Sequence, residues 1–173
     1  MNKHSEPKLN SSVNKELLKS LPYRNNVSCV VFKGDKFLLV QLSDWDVKWW
    51  KFPQGGVENN ESYEEAAIRE LKEEVGNDNF QIVQESEITH QYDWPDDIIQ
   101  KTGFRWRGQN QRFYLVEYIG ENNDFRFNKK EIRRLKWVSY DQLYKHIHHD
   151  NILFTNYYEV IHRVLIEFNK ISK

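Results

Sequence analysis

Three glutamates, Glu70, Glu73 and Glu74, crowd into the segment "ESYEEAAIRELKEEVGN", whose pattern is helical. On an α-helix residues three and four apart are neighbours, so Glu70 lies beside both of the others and the side chains converge on one patch. Like charges at these spacings repel and weaken the helix. A hard divalent cation removes that repulsion: Mg2+ takes oxygen ligands, keeps several waters and is held by a few carboxylates together with substrate phosphates. Arg69 has Glu65 four residues before it and Glu73 four after it, so it can neutralise part of the cluster and hold a carboxylate in position. Just upstream, Gly55 and Gly56 let main-chain atoms approach the same ion or a phosphate. Three glutamates on a helix, taken alone, are more often a solvated face than a metal site.

The helix that must present them has legible ends. Ser62 with Glu65 three residues on forms a capping box, and Gly76 supplies the stop. Ile68, Leu71 and Val75 recur at helical spacing and predict the buried stripe, with Ala67 beside it and the glutamates off it. Before this helix, "VSCVVF" and "FLLVQL" flank the turn signal "KGDK" and predict a β-hairpin over residues 27–42. After it come a strand in "FQIVQESEITH", an aromatic and basic connection "QYDWPDDIIQKTGFRWRGQN", and strands in "QRFYLVEYI" and "LKWV". A short helix opening near Ser139 and a longer one over residues 156–171, with Val160, Ile161, Val164, Leu165 and Phe168 inward, finish a mixed α+β layered domain.

At 173 residues the chain suits one domain, expected over residues 21–173 behind a polar, flexible tail over residues 1–20. A net charge of −1 gives the whole molecule no strong pull towards nucleic acid or membrane. The charge is unevenly spread, with an acidic stretch from Glu58 to Glu74 and a basic one from Lys101 to Lys136. Cys29 is the single cysteine and sits in an apolar run, which predicts a buried, inert thiol and fits a reducing compartment. The N-terminus lacks the apolar core of a signal peptide and no run is long enough to span a bilayer, so a cytoplasmic protein without membrane attachment is expected. No motif points to an obligate protein partner.

Gly55, five residues, Glu61, seven residues, then Arg69-Glu70-Leu71-x-Glu73-Glu74-x-Gly76 resembles the Nudix box; Asn77 stands where the family places an aliphatic packing residue. The resemblance implies a Nudix-type α/β/α sandwich around a mixed β-sheet, dependence on Mg2+ or Mn2+, and hydrolysis of a phosphoanhydride in a nucleoside diphosphate linked to another group. By position, Glu70, Glu73 and Glu74 would bind metal, helped by a main-chain oxygen of Gln54 or Gly55, with Glu61 and Arg69 as a supporting ion pair. Metal bound there polarises phosphate oxygens and lowers the pKa of an attacking water.

"YRNNVSCVVF", "WWKFPQGGVENNES", "GQNQRFYLVEY" and "LKWVSY" are similar to segments of the Nudix subgroup of bacterial RNA pyrophosphohydrolases and asymmetrically cleaving diadenosine tetraphosphate hydrolases. That similarity implies removal of pyrophosphate from 5′-triphosphorylated RNA, or hydrolysis of diadenosine tetraphosphate to ATP and AMP. Glu131 takes the place of a further glutamate that acts as ligand or general base in the subgroup; by spacing alone it is a surface charge. Arg24, Arg112, Gln109 and Gln111 are the candidates for substrate contact, and Tyr92 and Phe154 for stacking on a base. Thr155 stands where RNA-acting relatives carry Lys, and Tyr92 matches the diadenosine branch. A nucleotide- or RNA-binding module that has lost activity is the alternative outside the enzymes, and the intact glutamates argue against it.

Overall fold

From Val27 to Phe32 every residue is buried, as in a strand covered on both faces. In the computed structural model, which describes residues 11–151 and 154–172, this run lies in the central strand β1 (Tyr23–Lys33). The first ten residues of the expected tail lie outside the described residues, and Ser11–Ser20 forms a helix, α1. One edge of β1 runs parallel to β5 (Gly108–Tyr118), which pairs antiparallel with β4 (Phe80–Asp93). The other edge is divided. β2 (Lys36–Leu42) closes the expected hairpin through Phe32–Phe37 and Lys33–Lys36, whereas Asn26 to Ser28 pair with a three-residue strand, β3 (Gln54–Gly56). β6 (Ile132–Ser139) adds to β2 and completes a mixed sheet in the order β4-β5-β1-β2-β6.

Because β2 leaves β1 after the hairpin, the segment leading into β3 is drawn in between them. Lys51 exchanges backbone hydrogen bonds with Val40 at 2.8 and 3.0 Å, and Cys29 N–H donates to Pro53 O at 2.8 Å. This inserted segment carries Lys51 and Gln54 under the acidic helix.

Helix α2 (Tyr63–Val75) covers one face of the sheet, packing Ala67, Leu71 and Val75 on Val27, Cys29, Val31, Leu38 and Val40. On the other face α4 (Tyr140–Ile147) and α5 (Tyr157–Glu167) pack Leu143, Ile147, Ile161, Val164 and Leu165 against Val30, Leu39, Phe113 and Leu115. The result is the α+β, three-layer α/β/α sandwich expected, with all five inward residues of the last helix buried. A short helix, α3 (Asp96–Lys101), lies in the β4–β5 connection. Among the described residues no helix is long and apolar enough to cross a membrane.

The stripe assigned to α2 needs correction. Ile68 is 42% exposed, while Ala66 and Ala67 are fully buried. Three of the four i, i+4 rows of this helix decide its burial. The row Ala67-Leu71-Val75 faces the sheet, the row Ala66-Glu70-Glu74 leans on the inserted segment, and Ile68-Lys72 faces solvent. Glu70 and Glu74 therefore border the core, their side chains only 13% exposed. Leu71→Ala should cost about 3 kcal/mol, as a core truncation does, and Ile68→Ala no more than about 0.5 kcal/mol. Urea unfolding of both variants checks this orientation; equal losses would contradict it.

Candidate active site

Both ends of α2 are fixed as its sequence requires. Ser62 Oγ accepts from Glu65 N–H at 3.2 Å, Glu65 Oε2 accepts from Ser62 N–H at 2.7 Å, and Gly76 ends the helix in the left-handed region with its N–H on Lys72 O at 3.0 Å. Between these ends Arg69 gathers the acidic residues. Its Nε and Nη2 grip Glu61 at 3.0 and 2.6 Å, Nη1 reaches Glu70 at 2.8 Å and Glu73 at 3.2 Å, and Nη2 also donates to Gly56 O at 2.8 Å. The guanidinium thus ties α2 to β3. Its hydrogen bonds hold the Glu61 carboxyl below the usual range, and the same pairing raises Arg69.

The three candidate ligands have different surroundings. Glu70 presses on Gly55, where a Cβ would come within 1.8 Å of its Cδ, so any other residue there displaces the carboxylate. Burial lifts the Glu70 carboxyl above its ordinary value; Arg69 opposes this, and the charges of Glu74 and Glu73 add to it. Burial therefore outweighs the ion pair. Glu74 takes Lys51 Nζ at 2.9 Å on one oxygen and Gln54 N–H at 3.0 Å on the other. Glu73 is 58% exposed. Gln54 O also faces Lys51 Nζ, at 3.4 Å, so the main-chain oxygen expected as a ligand lies at the same point. Burial, with the Glu74 and Glu70 charges adding to it, pushes the Cys29 thiol up and keeps it inert.

These residues suit a hard divalent cation: partly desolvated carboxylates, a main-chain oxygen and a cradle that a Cβ at Gly55 would fill. As the side chains stand, no group of three His, Cys, Asp or Glu among the described residues is gathered on one point. Lys51 pairs with Glu74 and Arg69 with Glu70.

Lys51 is 4% exposed and was not singled out from the sequence. The available signal was one cation inside the aromatic run "WWKFP". It also lines a 230 Å³ cleft on the α5 side of the sheet, beside Gln54. Tyr92, Gln109, Gln111 and Phe154 meet in this cleft, together with Trp45 and His90, which sequence reasoning missed. Tyr92 O–H donates to Gln109 Oε1 at 2.6 Å, burial pushes its pKa up to about 12, and its ring lies 4.9 Å from that of His90. Gln111 Nε2 donates to Asn26 Oδ1 at 2.9 Å and to Gln54 Oε1 at 3.1 Å. Phe154 packs edge-on to Trp45 with centroids 5.3 Å apart.

The remaining candidates lie outside the cleft. The Arg24 guanidinium lies against Gly56, where a Cβ would displace it. Arg112, on the opposite face of β5 from Gln109 and Gln111, reaches Glu85 at 3.1 Å and covers the Tyr63 ring at 4.1 Å. Glu131 precedes β6; its backbone O accepts from Ser43 N–H and its exposed carboxylate accepts from Asn128 Nδ2 at 3.2 Å. Arg112 thus touches only the first residue of the acidic helix, and the contacts of Glu131 do not reach that helix.

A family model described as the NUDIX domain matches residues 22–157. An RNA pyrophosphohydrolase of Rickettsia africae is 35% identical over 127 residues, covering 71% of this chain and 79% of the relative. One from Gluconobacter oxydans is 37% identical over 124 residues, covering 69% and 73%. Among solved structures, an E. coli dihydroneopterin triphosphate pyrophosphohydrolase superposes with a TM-score of 0.61 at 19% identity, covering 83% of this chain and 98% of that one. A C. elegans Ap4A hydrolase gives 0.56 at 20% identity, covering 81% and 98%. At these identities the solved structures share the fold.

Removing Lys51 leaves the Glu74 carboxylate without its buried cation. Lys51→Met should lower stability by about 3 kcal/mol, the scale of breaking a buried pair from one side. Adding Mg2+ should then raise its melting temperature more than that of the unaltered protein. Equal responses to Mg2+ in a thermal melt would show that Glu74 is not where the cation acts.

Proposed function

The chain belongs to the Nudix family of hydrolases, and we propose that it removes pyrophosphate from 5′-triphosphorylated RNA, leaving a 5′-monophosphate end. The observation that carries the substrate is the identity of 35% over 71% of the chain with proteins named RNA pyrophosphohydrolase. The geometry supports it by setting an aromatic cleft and an acidic helix on either side of Lys51.

Nudix hydrolases generally need a divalent metal, and Mg2+ or Mn2+ is the proposed cofactor here. Glu70, Glu73 and Glu74 would hold it, with Gln54 or Gly55 contributing a main-chain oxygen. When bound, the ion supplies charge neutralisation on the phosphates and a more acidic water. Arg69 keeps Glu70 and Glu73 oriented while Glu61 holds Arg69 itself. In the cleft, Tyr92 and Phe154 are placed for the face of a base, and Gln109 and Gln111 for its edge. Arg24, on β1 with its guanidinium against Gly56 beside the Arg69 contact, is placed for a phosphate of the 5′ chain. Lys51 faces both the cleft and Glu74, which suits it to the phosphate between base and metal. Arg112 meets substrate only if the substrate passes round the β4–β5 edge. Glu131 remains our candidate for the general base, on the loop before β6. Hydrolysis adds a water oxygen to phosphorus, breaks the anhydride bond, and sends the negative charge off with pyrophosphate. The lone buried thiol fits a reducing cytoplasm.

Hydrolysis of diadenosine tetraphosphate to ATP and AMP is the second reading, favoured by Tyr92 in the cleft and by Thr155 where a Lys was expected. Glu73→Gln and Glu74→Gln should each lower pyrophosphate release from triphosphorylated RNA about 100- to 1000-fold, the scale of losing one group that stabilises developing charge. A purified protein that leaves that RNA untouched in Mg2+ would sink the first reading. Release unchanged by both substitutions would overturn the catalytic assignment of these glutamates.

A further inference from the structure

A second, larger depression of 980 Å³ brings together the start of β1, the Val57–Glu61 segment and the Lys101–Trp106 segment after α3. Trp94 lines both this groove and the aromatic cleft, so one indole borders the two. Arg24, Lys101 and Arg105 supply three cations, and Trp94 and Trp106 supply two indole rings. Among the described residues neither Arg24 nor Arg105 has an ion-pair partner, and Lys101 has only an exposed contact to Asp97 at 3.7 Å. Arg105 instead stands 5.6 Å from the centre of the Trp106 ring. The groove also contains Glu58 and Glu61, but Arg69 already neutralises Glu61.

Aromatic faces beside cations with little or no ion pairing, along an open groove, make the arrangement that grips a single strand, with rings under bases and cations on phosphates. The cleft itself has room for little more than one base. We propose that this groove binds the single-stranded RNA body downstream of the 5′ end, and so favours RNA over free nucleotides. The inference rests on the reading of the chain as an RNA pyrophosphohydrolase, and its test does not need catalysis.

The probe is a single-stranded RNA of about a dozen nucleotides, within the span of such grooves, carrying a 5′-hydroxyl and a fluorophore for anisotropy. It should bind, and the binding should weaken with salt. The double variant Lys101→Gln with Arg105→Gln should lower the slope of log affinity against log salt by about 1.4, two cations at about 0.7 each. Trp106→Ala should weaken binding about tenfold. In the same variants the turnover of triphosphorylated RNA should stop rising with length, while ATP and diadenosine tetraphosphate turn over as before. Binding that responds in this way in a protein that hydrolyses no RNA would uphold the groove and overturn only the proposed activity. No binding, or an equal loss on RNA and on diadenosine tetraphosphate, would overturn the groove as an RNA site.

Discussion

Four carboxylates, Glu61, Glu70, Glu73 and Glu74, are held within reach of one guanidinium and one ammonium, and their mutual repulsion is the constraint that orders this part of the molecule. Arg69 alone touches three of them and also Gly56 O, so the interaction that quiets the charge is the same one that fastens α2 to β3. Burial still lifts Glu70 above its ordinary pKa, which means the protein's own cations do not fully offset the cost of taking that carboxylate out of water. A divalent cation bound there would complete the compensation.

That arrangement needs β3 where it is, and β3 exists because the edge of β1 is shared. Had β2 paired along the whole of β1, no room would remain for Lys51 and Gln54 under α2. The splay of β2 lets Lys51 pair with Val40 through its backbone while its side chain reaches Glu74. The same segment lines the aromatic cleft, so one insertion connects the base-sized cavity on one side of the sheet with the acidic helix on the other.

What was legible in the sequence follows from range. The cap at Ser62, the stop at Gly76 and the apolar face of α5 are set by neighbours a few residues away, and all three are found. The glutamates were legible as a cluster, but their burial was not, because Ile68 fits the helical period as well as Ala66 does. Contacts with Lys51, Gln54 and Gly55 choose between those two faces, and they come from a distant segment. β3 was equally hidden, since three residues carry no period and form a strand only by pairing with β1. Lys51, Trp45 and His90 gain meaning only from the cleft, which residues from five separate elements and the loops between them build.

In the proposed function the acidic helix carries the reaction and the surroundings of the cleft select the substrate. The most direct test is a one-pot competition, with triphosphorylated RNA and diadenosine tetraphosphate at equal concentration in Mg2+ and the products resolved by mass spectrometry. 5′-Monophosphorylated RNA and pyrophosphate should accumulate first. ATP and AMP appearing ahead of any RNA product would contradict the account.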